Sequence, residues 1–243
     1  MKLDILAFGV HPDDVELGCS GTLMVEIANG KKVGVIDLTQ GELGTRGSVE
    51  ARYKEAAHAA AIMKLYLREN LKMADGFFKN DEQHQRLIIQ AVRKYKPDIV
   101  ICNAPEDRHP DHGRACALVS DACFLSGLRK IETKDENGNS QEQWRPSYVL
   151  QYIQDRYLKP DFVVDISSVI DKKTEAIKAY TTQFYNPDLD EPSTYISSPE
   201  FFEHVINRSK MLGIMIGVKN AEGFITKKIV GLPSLDVLIK NPA

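Results

Sequence analysis

Two short clusters of histidine and aspartate stand out in the sequence. The first is His-Pro-Asp-Asp at residues 11–14, and the second is His-Pro-Asp-His at residues 109–112. Catalytic zinc usually takes three such side chains from the protein and keeps one coordination position for water. Together the clusters offer more titratable groups than one metal ion needs. The surplus groups could act as acid and base, so these residue types predict metal-assisted hydrolysis.

Such chemistry requires a fold that brings the two clusters together. An apolar run over residues 3–10 ends at the first cluster, and a second run over 98–102 ends shortly before the second cluster. Runs of this kind are typical of strands buried on both faces of a parallel sheet. Because the functional crevice of an open α/β sheet lies at the carboxyl ends of its strands, we expect both clusters at one edge of the sheet.

The rest of the chain alternates between strand and helix patterns. Helices are predicted over residues 21–29, 49–64, 83–95, 113–125, 169–184 and 199–211, and further strands over 32–38, 65–71, 148–153 and 162–166. This alternation predicts an α/β fold, a mostly parallel sheet with helices on both faces. No linker or repeat divides residues 1–243, which are expected to form a single domain with an exposed polar insertion at 132–143.

Composition excludes several classes of partner. The chain has 31 Lys and Arg against 34 Asp and Glu, a net charge of -3, so it has no basic excess for nucleic acid. No apolar run is long enough to span a membrane, and acidic residues come too early for a signal peptide. The four cysteines lack the C-x-x-C spacing of zinc or redox motifs. We therefore expect a cytoplasmic protein with reduced thiols.

The first cluster, within HPDDVELGCSG, and the later HPDH resemble the motifs of the LmbE-like, or PIG-L-like, zinc-dependent deacetylases. Those enzymes remove the acetyl group from small molecules that contain N-acetylglucosamine. The runs DLTQGELGTRGSVEARYKEA, EDRHPDHGRA and QFYNPD through NAEGF are similar to the branch that deacetylates N-acetylglucosaminyl-malate in bacillithiol biosynthesis. The resemblance implies a Rossmann-like fold and a zinc cofactor, with iron(II) accepting the same ligands. It also implies a homo-oligomer, often a hexamer.

The resemblance assigns roles within the two clusters. Asp13 would be the general base that activates the metal-bound water. His109, protonated, would stabilise the oxyanion, and Asp111 would orient it. The residues expected to bind the metal ion are His11, Asp14 and His112.

The resemblance also implies contacts with the substrate. Arg52 matches a family arginine placed near the substrate. A malate group is anionic, so arginines at the rim of the site are expected to bind it, and the candidates are Arg46 and Arg108. A tyrosine from the late loop would polarise the carbonyl: Tyr195 is the nearest candidate and Tyr185 the second, whereas the helix position expected to hold a tyrosine is Phe201.

Other functions compete with this hypothesis. A dinucleotide-binding enzyme would need G-x-G-x-x-G after the first strand, where this chain has two carboxylates instead. A 2-His-1-carboxylate iron oxygenase uses the same ligand types. A silent binding protein would not require Asp13 or His109. Within the deacetylases, the substrate could be another N-acetylglucosamine conjugate or a chitooligosaccharide.

Overall fold

This computed structural model describes residues 1–238 of the chain. Within them, seven strands form one continuous sheet. Its strands are β1 (Ile5–Gly9), β2 (Val33–Thr39), β3 (Leu67–Met73), β4 (Ile99–Asn103), β5 (Tyr148–Tyr152), β6 (Phe162–Asp165) and β7 (Ala221–Thr226). The spatial order is β3-β2-β1-β4-β5-β7-β6. The first five of these strands are parallel to one another, and β7 is antiparallel to both of its neighbours. The predicted α/β class with a mostly parallel sheet is confirmed.

Helices cover both faces of this sheet. They are α1 (Asp14–Gly18), α2 (Ser20–Ala28), α3 (Val49–Met63), α4 (Glu82–Tyr95), α5 (Pro110–Ser126), α6 (Ile170–Lys178) and α7 (Pro199–Met215). Side chains of β1 alternate between the two faces, as strand geometry requires. Leu6 and Phe8 pack in one apolar cluster with α4 and α5, whereas Ile5 and Ala7 pack in another with α2.

The strand order places both sequence clusters at one crevice. Strand β1 pairs in parallel with β4, with Ile5 opposite Ile99 and Ala7 opposite Ile101. The chain moves from β1 outward to β2 and β3, then returns to β4 on the other side of β1. Such a reversal is the point at which open α/β sheets bind ligands. The carboxyl ends of β1 and β4 therefore open into the same crevice.

Several parts of the fold differ from the sequence prediction, and the short helix α1 was not predicted at all. The helix predicted to reach residue 184 ends at Lys178, because the following threonines bond to Glu55 of α3 rather than to helical carbonyls. Strand β7 was not predicted, because its sequence, AEGFIT, has no apolar run and buries a glutamate, Glu222. The polar insertion at 132–143 is largely exposed as expected, although Arg93 holds the buried Thr133.

A buried lysine joins three helices to β7. The Lys173 ammonium donates to the carbonyls of Glu16 and Leu17 at 3.0 Å each, and to the Glu222 carboxylate at 2.6 Å. Glu222 also accepts from the backbone N–H groups of Gly21 and Thr22. Both charges are thus buried and fully paired, and they connect the end of α1 to the start of α2.

Replacing Lys173 is expected to test this contact. Lys173→Met leaves the buried Glu222 carboxylate without its counter-charge, so the free energy of unfolding should fall by about 3–5 kcal/mol. The matched control is Lys172→Met, because Lys172 makes only an exposed ion pair with Glu175. That change should cost less than about 0.5 kcal/mol. Denaturant unfolding of both variants measures the difference, and equal small losses would contradict the stabilising role.

Candidate active site

The crevice contains a cavity of about 200 Å³ at the ends of the parallel strands. This volume is below the roughly 300–1,000 Å³ of most small-molecule sites, so the cavity is suited to a group of about one sugar ring. Both sequence clusters contribute side chains to it, as predicted. These residues are His11, Asp13, Asp14, His109 and His112.

Asp14 lies between two histidines at the base of the cavity. Its carboxylate oxygens are 3.6 Å from His11 Nδ1 and 3.2 Å from His112 Nε2, each contact using a different oxygen. Ligands at 2.0–2.2 Å from a tetrahedral zinc ion are about 3.4 Å apart. The separation between Asp14 and each of the two histidines is therefore close to that of two ligands on one zinc ion.

Two further carboxylates hold the outer nitrogens of these rings. His11 Nε2 is 2.9 Å from Asp75, and His112 Nδ1 is 2.7 Å from Asp107. Histidines that bind metals commonly bond to a carboxylate through their second nitrogen, which fixes the ring orientation and its tautomer. Each ring is thus held with its other nitrogen toward Asp14.

His109 offers an alternative third ligand. One ring nitrogen of His109 lies within 4.8 Å of one nitrogen of His11 and one of His112, so these three histidines form a possible metal-binding group. We favour Asp14 because it contacts both inner nitrogens directly, and because a carboxylate supplies negative charge. His109 would then remain available for the substrate.

The electrostatics of the cavity favour a bound cation. Burial opposes a charged His11, but the hydrogen bonds and charges of Asp14 and Asp75 outweigh it and raise the pKa of His11 to about 10. Burial likewise opposes a charged His112, whose pKa is nevertheless raised to about 9, mainly by Asp14 and Asp107. Carboxylates that retain protons on the two rings so strongly create the field that attracts a metal cation.

Asp13 is held in a strained conformation beside this cluster. Its φ of 131° is unusual for a residue with a side chain and costs about 1–3 kcal/mol. Burial raises the pKa of Asp13 to about 7, although Arg52, 3.7 Å away, acts to lower it. A carboxylate with a pKa near neutrality is suited to general base catalysis.

His109 differs from the expectation of a protonated ring. The backbone N–H of Asp111 donates to His109 Nδ1 at 3.3 Å, which requires a lone pair on that nitrogen and places the proton on Nε2. Burial, followed by the charges of His11 and His112, lowers the pKa of His109. The structure thus favours the neutral ring, which can still donate from Nε2.

Asp111 contacts His109 through its backbone N–H and not through its carboxylate. Its carboxylate accepts from Arg114 at 2.6 Å and from the Gly76 backbone at 2.9 Å, so it is already neutralised and held. The contact with His109 comes from the Asp111 backbone, at the first turn of α5.

The predicted substrate residues have different positions. Arg52 and Arg108 line the cavity, and so does Phe201. Among the described residues, Arg46 and Tyr195 do not line the cavity, so its lining does not support the expectation of Arg46 at the rim. Arg46 is buried in its loop, where its Nε lies 3.9 Å from Glu191.

The aromatic candidates lie outside the cavity. The Tyr195 hydroxyl donates to Asp155 at 3.1 Å, and its ring stacks 4.5 Å from the Arg108 guanidinium. Arg108 also donates from Nε to Asp155 at 2.8 Å. The second candidate, Tyr185, borders a separate surface groove. Neither tyrosine is among the described residues that line the cavity.

Several residues of the site were missed by the sequence analysis. Besides Asp75 and Asp107, they include Gln154, which donates to Asp14 at 2.8 Å, and Asp155. All four lie shortly after the ends of parallel strands, namely β3, β4 and β5. The strand-end rule used for the two clusters could have found them, because any polar side chain at that edge faces the same crevice.

The fold and the donor set define an α/β protein whose crevice, at the turning point of its sheet, carries side chains that could hold a metal ion. The model of the PIG-L family, described as GlcNAc-PI de-N-acetylase, matches residues 6–123, which include both clusters. The chain is also 34% identical to the conserved protein TT1542 from Thermus thermophilus, whose crystal structure matches with a TM-score of 0.84, over 95% of this chain and 98% of that one. The chain belongs to the PIG-L family.

Two further comparisons concern a deacetylase and a protein of a different activity. The chain is 27% identical over 190 residues to the diacetylchitobiose deacetylase of Thermococcus kodakarensis, covering 74% of this chain and 70% of that protein. The 4-carboxy-2-hydroxymuconate hydratase from Pseudomonas putida KT2440 matches with a TM-score of 0.76 at 19% identity, over 97% of this chain and all of that one. Because this second likeness extends only to the fold, the fold alone does not decide the reaction.

The carboxylates behind the histidines generate a prediction for metal affinity. Asp107→Asn should weaken zinc binding about 10- to 100-fold, because His112 loses the negative partner that orients it. Asp75→Asn should act in the same way through His11. The control is Asp121→Asn, an exposed carboxylate bonded to Asn80. Competition with a chromogenic chelator measures the affinity, and equal affinities for all three variants and the wild type would contradict the assignment.

Proposed function

We propose that this protein is a metal-dependent hydrolase that removes the acetyl group from an N-acetylglucosamine-containing small molecule. The observation that carries the proposal is a strained, buried Asp13 beside a His-Asp-His cluster, in a cavity of about one sugar ring. The description of the family model and the likeness to a diacetylchitobiose deacetylase support it.

The proposed roles follow from the positions of the side chains. His11, Asp14 and His112 would hold a zinc ion, with iron(II) as the other cation that suits these ligands. Zinc bound there would supply a Lewis acid that polarises a carbonyl and makes water reactive near neutral pH.

The neighbouring residues would handle protons and charge. Asp13 accepts a proton from the attacking water and, with a pKa of about 7, can return it to the leaving amine. His109 donates from Nε2 to the oxygen on which negative charge develops. The balanced reaction consumes one water molecule and yields acetate and a free amine.

We propose N-acetylglucosaminyl-L-malate as the preferred substrate. The acetylated sugar would fill the cavity, and the malate group would extend toward its mouth. Arg108 supports this choice, because it lines the cavity and its side chain is 43% exposed. Asp155 partly neutralises Arg108, which favours an aglycone that can displace that contact. Diacetylchitobiose is the alternative, supported by the likeness to the deacetylase of that disaccharide.

Amine release from three substrates tests the proposal. The metal-stripped protein is assayed before and after zinc is restored, with N-acetylglucosaminyl-malate, diacetylchitobiose and N-acetylglucosamine side by side. We expect zinc-dependent release of a free amino group on the glucosamine unit, with a strong preference for the malate glycoside. Preference for diacetylchitobiose would refute the malate assignment alone. No release from any of the three, with zinc demonstrably bound, would overturn these substrate assignments and point to another acetylated substrate or to the oxygenase.

Substitutions in the cavity should separate metal binding from catalysis. Asp13→Asn is the suitable test of the base, because asparagine tolerates the positive φ better than alanine. Asp13→Asn and His109→Ala should retain zinc but lose about 10²- to 10⁴-fold in kcat. His112→Ala should lose zinc as well. Metal analysis and steady-state kinetics distinguish these outcomes, and near wild-type turnover by Asp13→Asn with zinc bound would exclude Asp13 as the base.

We further propose that the protein acts in the cytoplasm as a homo-oligomer, with a hexamer as the expected form. All four cysteines are free and buried, which supports a reducing compartment. Within residues 1–238, no helix is both long and apolar enough to cross a bilayer. Light scattering tests the assembly, since a mass near 27.2 kDa would correspond to a monomer.

A further inference from the structure

We propose that Gln183 is a positioning residue for the reaction, because it holds Arg52 against the turn that carries Asp13. The inference rests on the proposed function for its kinetic readout. Gln183 does not line the cavity and lies in the segment that follows α6. Its effect on catalysis would therefore pass through Arg52.

The hydrogen bonds of Gln183 allow only one orientation of its amide. The side chain is 3% exposed, and its oxygen accepts from Arg52 Nη2. Its nitrogen donates to the Arg46 carbonyl and to the Thr182 hydroxyl, both at 2.8 Å. A flipped amide would place N–H groups against the guanidinium and oxygen against a carbonyl. Both ends of the amide are therefore needed where they are.

Arg52 is held between Gln183 and the turn at residues 11–14. Its Nη1 donates to the Pro12 carbonyl at 3.1 Å and lies 3.7 Å from the Asp13 carboxylate. The loop at Gly41 packs against the same nitrogen, since a Cβ there would come within 2.7 Å of it. Within the described residues, the hydrogen-bond acceptors of this guanidinium are the Pro12 carbonyl and Gln183. Gln183 thus anchors the terminal nitrogen that the turn does not use.

Glu55 fixes the position of Gln183 itself. This carboxylate of α3 accepts from the Thr181 hydroxyl and from both the backbone N–H and the hydroxyl of Thr182, at 2.7–3.0 Å. Glu55 and Arg52 are three residues apart in α3, so they lie on one face of that helix. Helix α3 therefore bonds to the segment after α6 through both Glu55 and Arg52.

The strained backbone of Asp13 explains why this anchoring should matter. A φ of 131° persists only where the surroundings hold it. Arg52 bonds the preceding carbonyl and faces the Asp13 carboxylate, so it opposes relaxation of the turn. Without Gln183, the guanidinium loses one of its two anchors. The Asp13 carboxylate is then held less well at the position from which it would take a proton.

Two variants of Gln183 separate the role of its oxygen, which accepts from Arg52, from the role of its nitrogen, which donates to the Arg46 carbonyl and the Thr182 hydroxyl. Gln183→Met keeps the length of the side chain and removes both kinds of hydrogen bond, whereas Gln183→Glu keeps the acceptor for Arg52 and loses the donor. We expect Gln183→Met to lower kcat about 10- to 100-fold with KM and zinc content little changed, since small misplacements of reacting groups have effects of that size. Gln183→Glu should retain more of the wild-type kcat than Gln183→Met, although its second oxygen faces the Arg46 carbonyl and should lower the free energy of unfolding. The control is Gln90→Met, which removes a surface amide bonded to the Lys134 carbonyl and should leave kcat unchanged.

A double-mutant cycle decides whether Gln183 acts through Arg52. In an Arg52→Met background, adding Gln183→Met should lower kcat little further. A full additional loss in that background, or a raised KM with unchanged kcat, would overturn the inference. Wild-type turnover by Gln183→Met, in a wild type that deacetylates, would refute the positioning role while leaving the proposed function intact.

A readout without activity keeps the inference testable if the wild type deacetylates none of the substrates. In a crystal structure of Gln183→Met, we expect the Arg52 side chain to move and Asp13 to leave its strained φ. An unchanged Asp13 turn in that structure would overturn the inference, whatever the activity.

Discussion

The burial of the Asp14 carboxylate is the constraint on which the site depends. A buried charge is costly unless it is fully paired, and Asp14 obtains its partners from three strand ends. The N–H groups of Val10 and His11 follow β1, Asn103 ends β4, and Gln154 follows β5. With His11 and His112 beside it, the carboxylate connects the central strands at their carboxyl edge.

Adjacent carboxylates in this site have opposite properties because their partners differ. Burial acts on both Asp13 and Asp14, but the charges and hydrogen bonds of His112 and His11 hold the pKa of Asp14 well below its usual range. Asp13 has only a more distant guanidinium and has its pKa raised to about 7. Pairs of groups whose environments separate their pKa values are typical of acid and base sites. One residue is thereby suited to hold a cation and the other to move a proton.

The fold supplies the crevice, and the side chains at its edge decide the chemistry. A hydratase shares this fold at low identity, so the arrangement of strands cannot by itself define a deacetylase. The features that favour hydrolysis here are local: a buried carboxylate, Asp13, held in strain, an imidazole, His109, that can donate from Nε2, and a small cavity. The contacts of Arg52 and Gln183 belong to the same local set, since Arg52 lines the cavity and faces Asp13, and Gln183 accepts a hydrogen bond from Arg52.

The sequence by itself determined the α/β class, most of the element order and the convergence of the two clusters. Those features follow from local apolar patterns and from the rule that parallel strands end at one edge. Only the tertiary structure decided that Tyr195 bonds to Asp155, that Arg46 is buried away from the cavity, and that Asp75 and Asp107 hold the histidines. Strand β7 and the early end of α6 also needed long-range partners, Lys173 and Glu55. A side chain chooses its partner among groups distant in sequence, and that choice is set by packing and charge compensation, which no local pattern records.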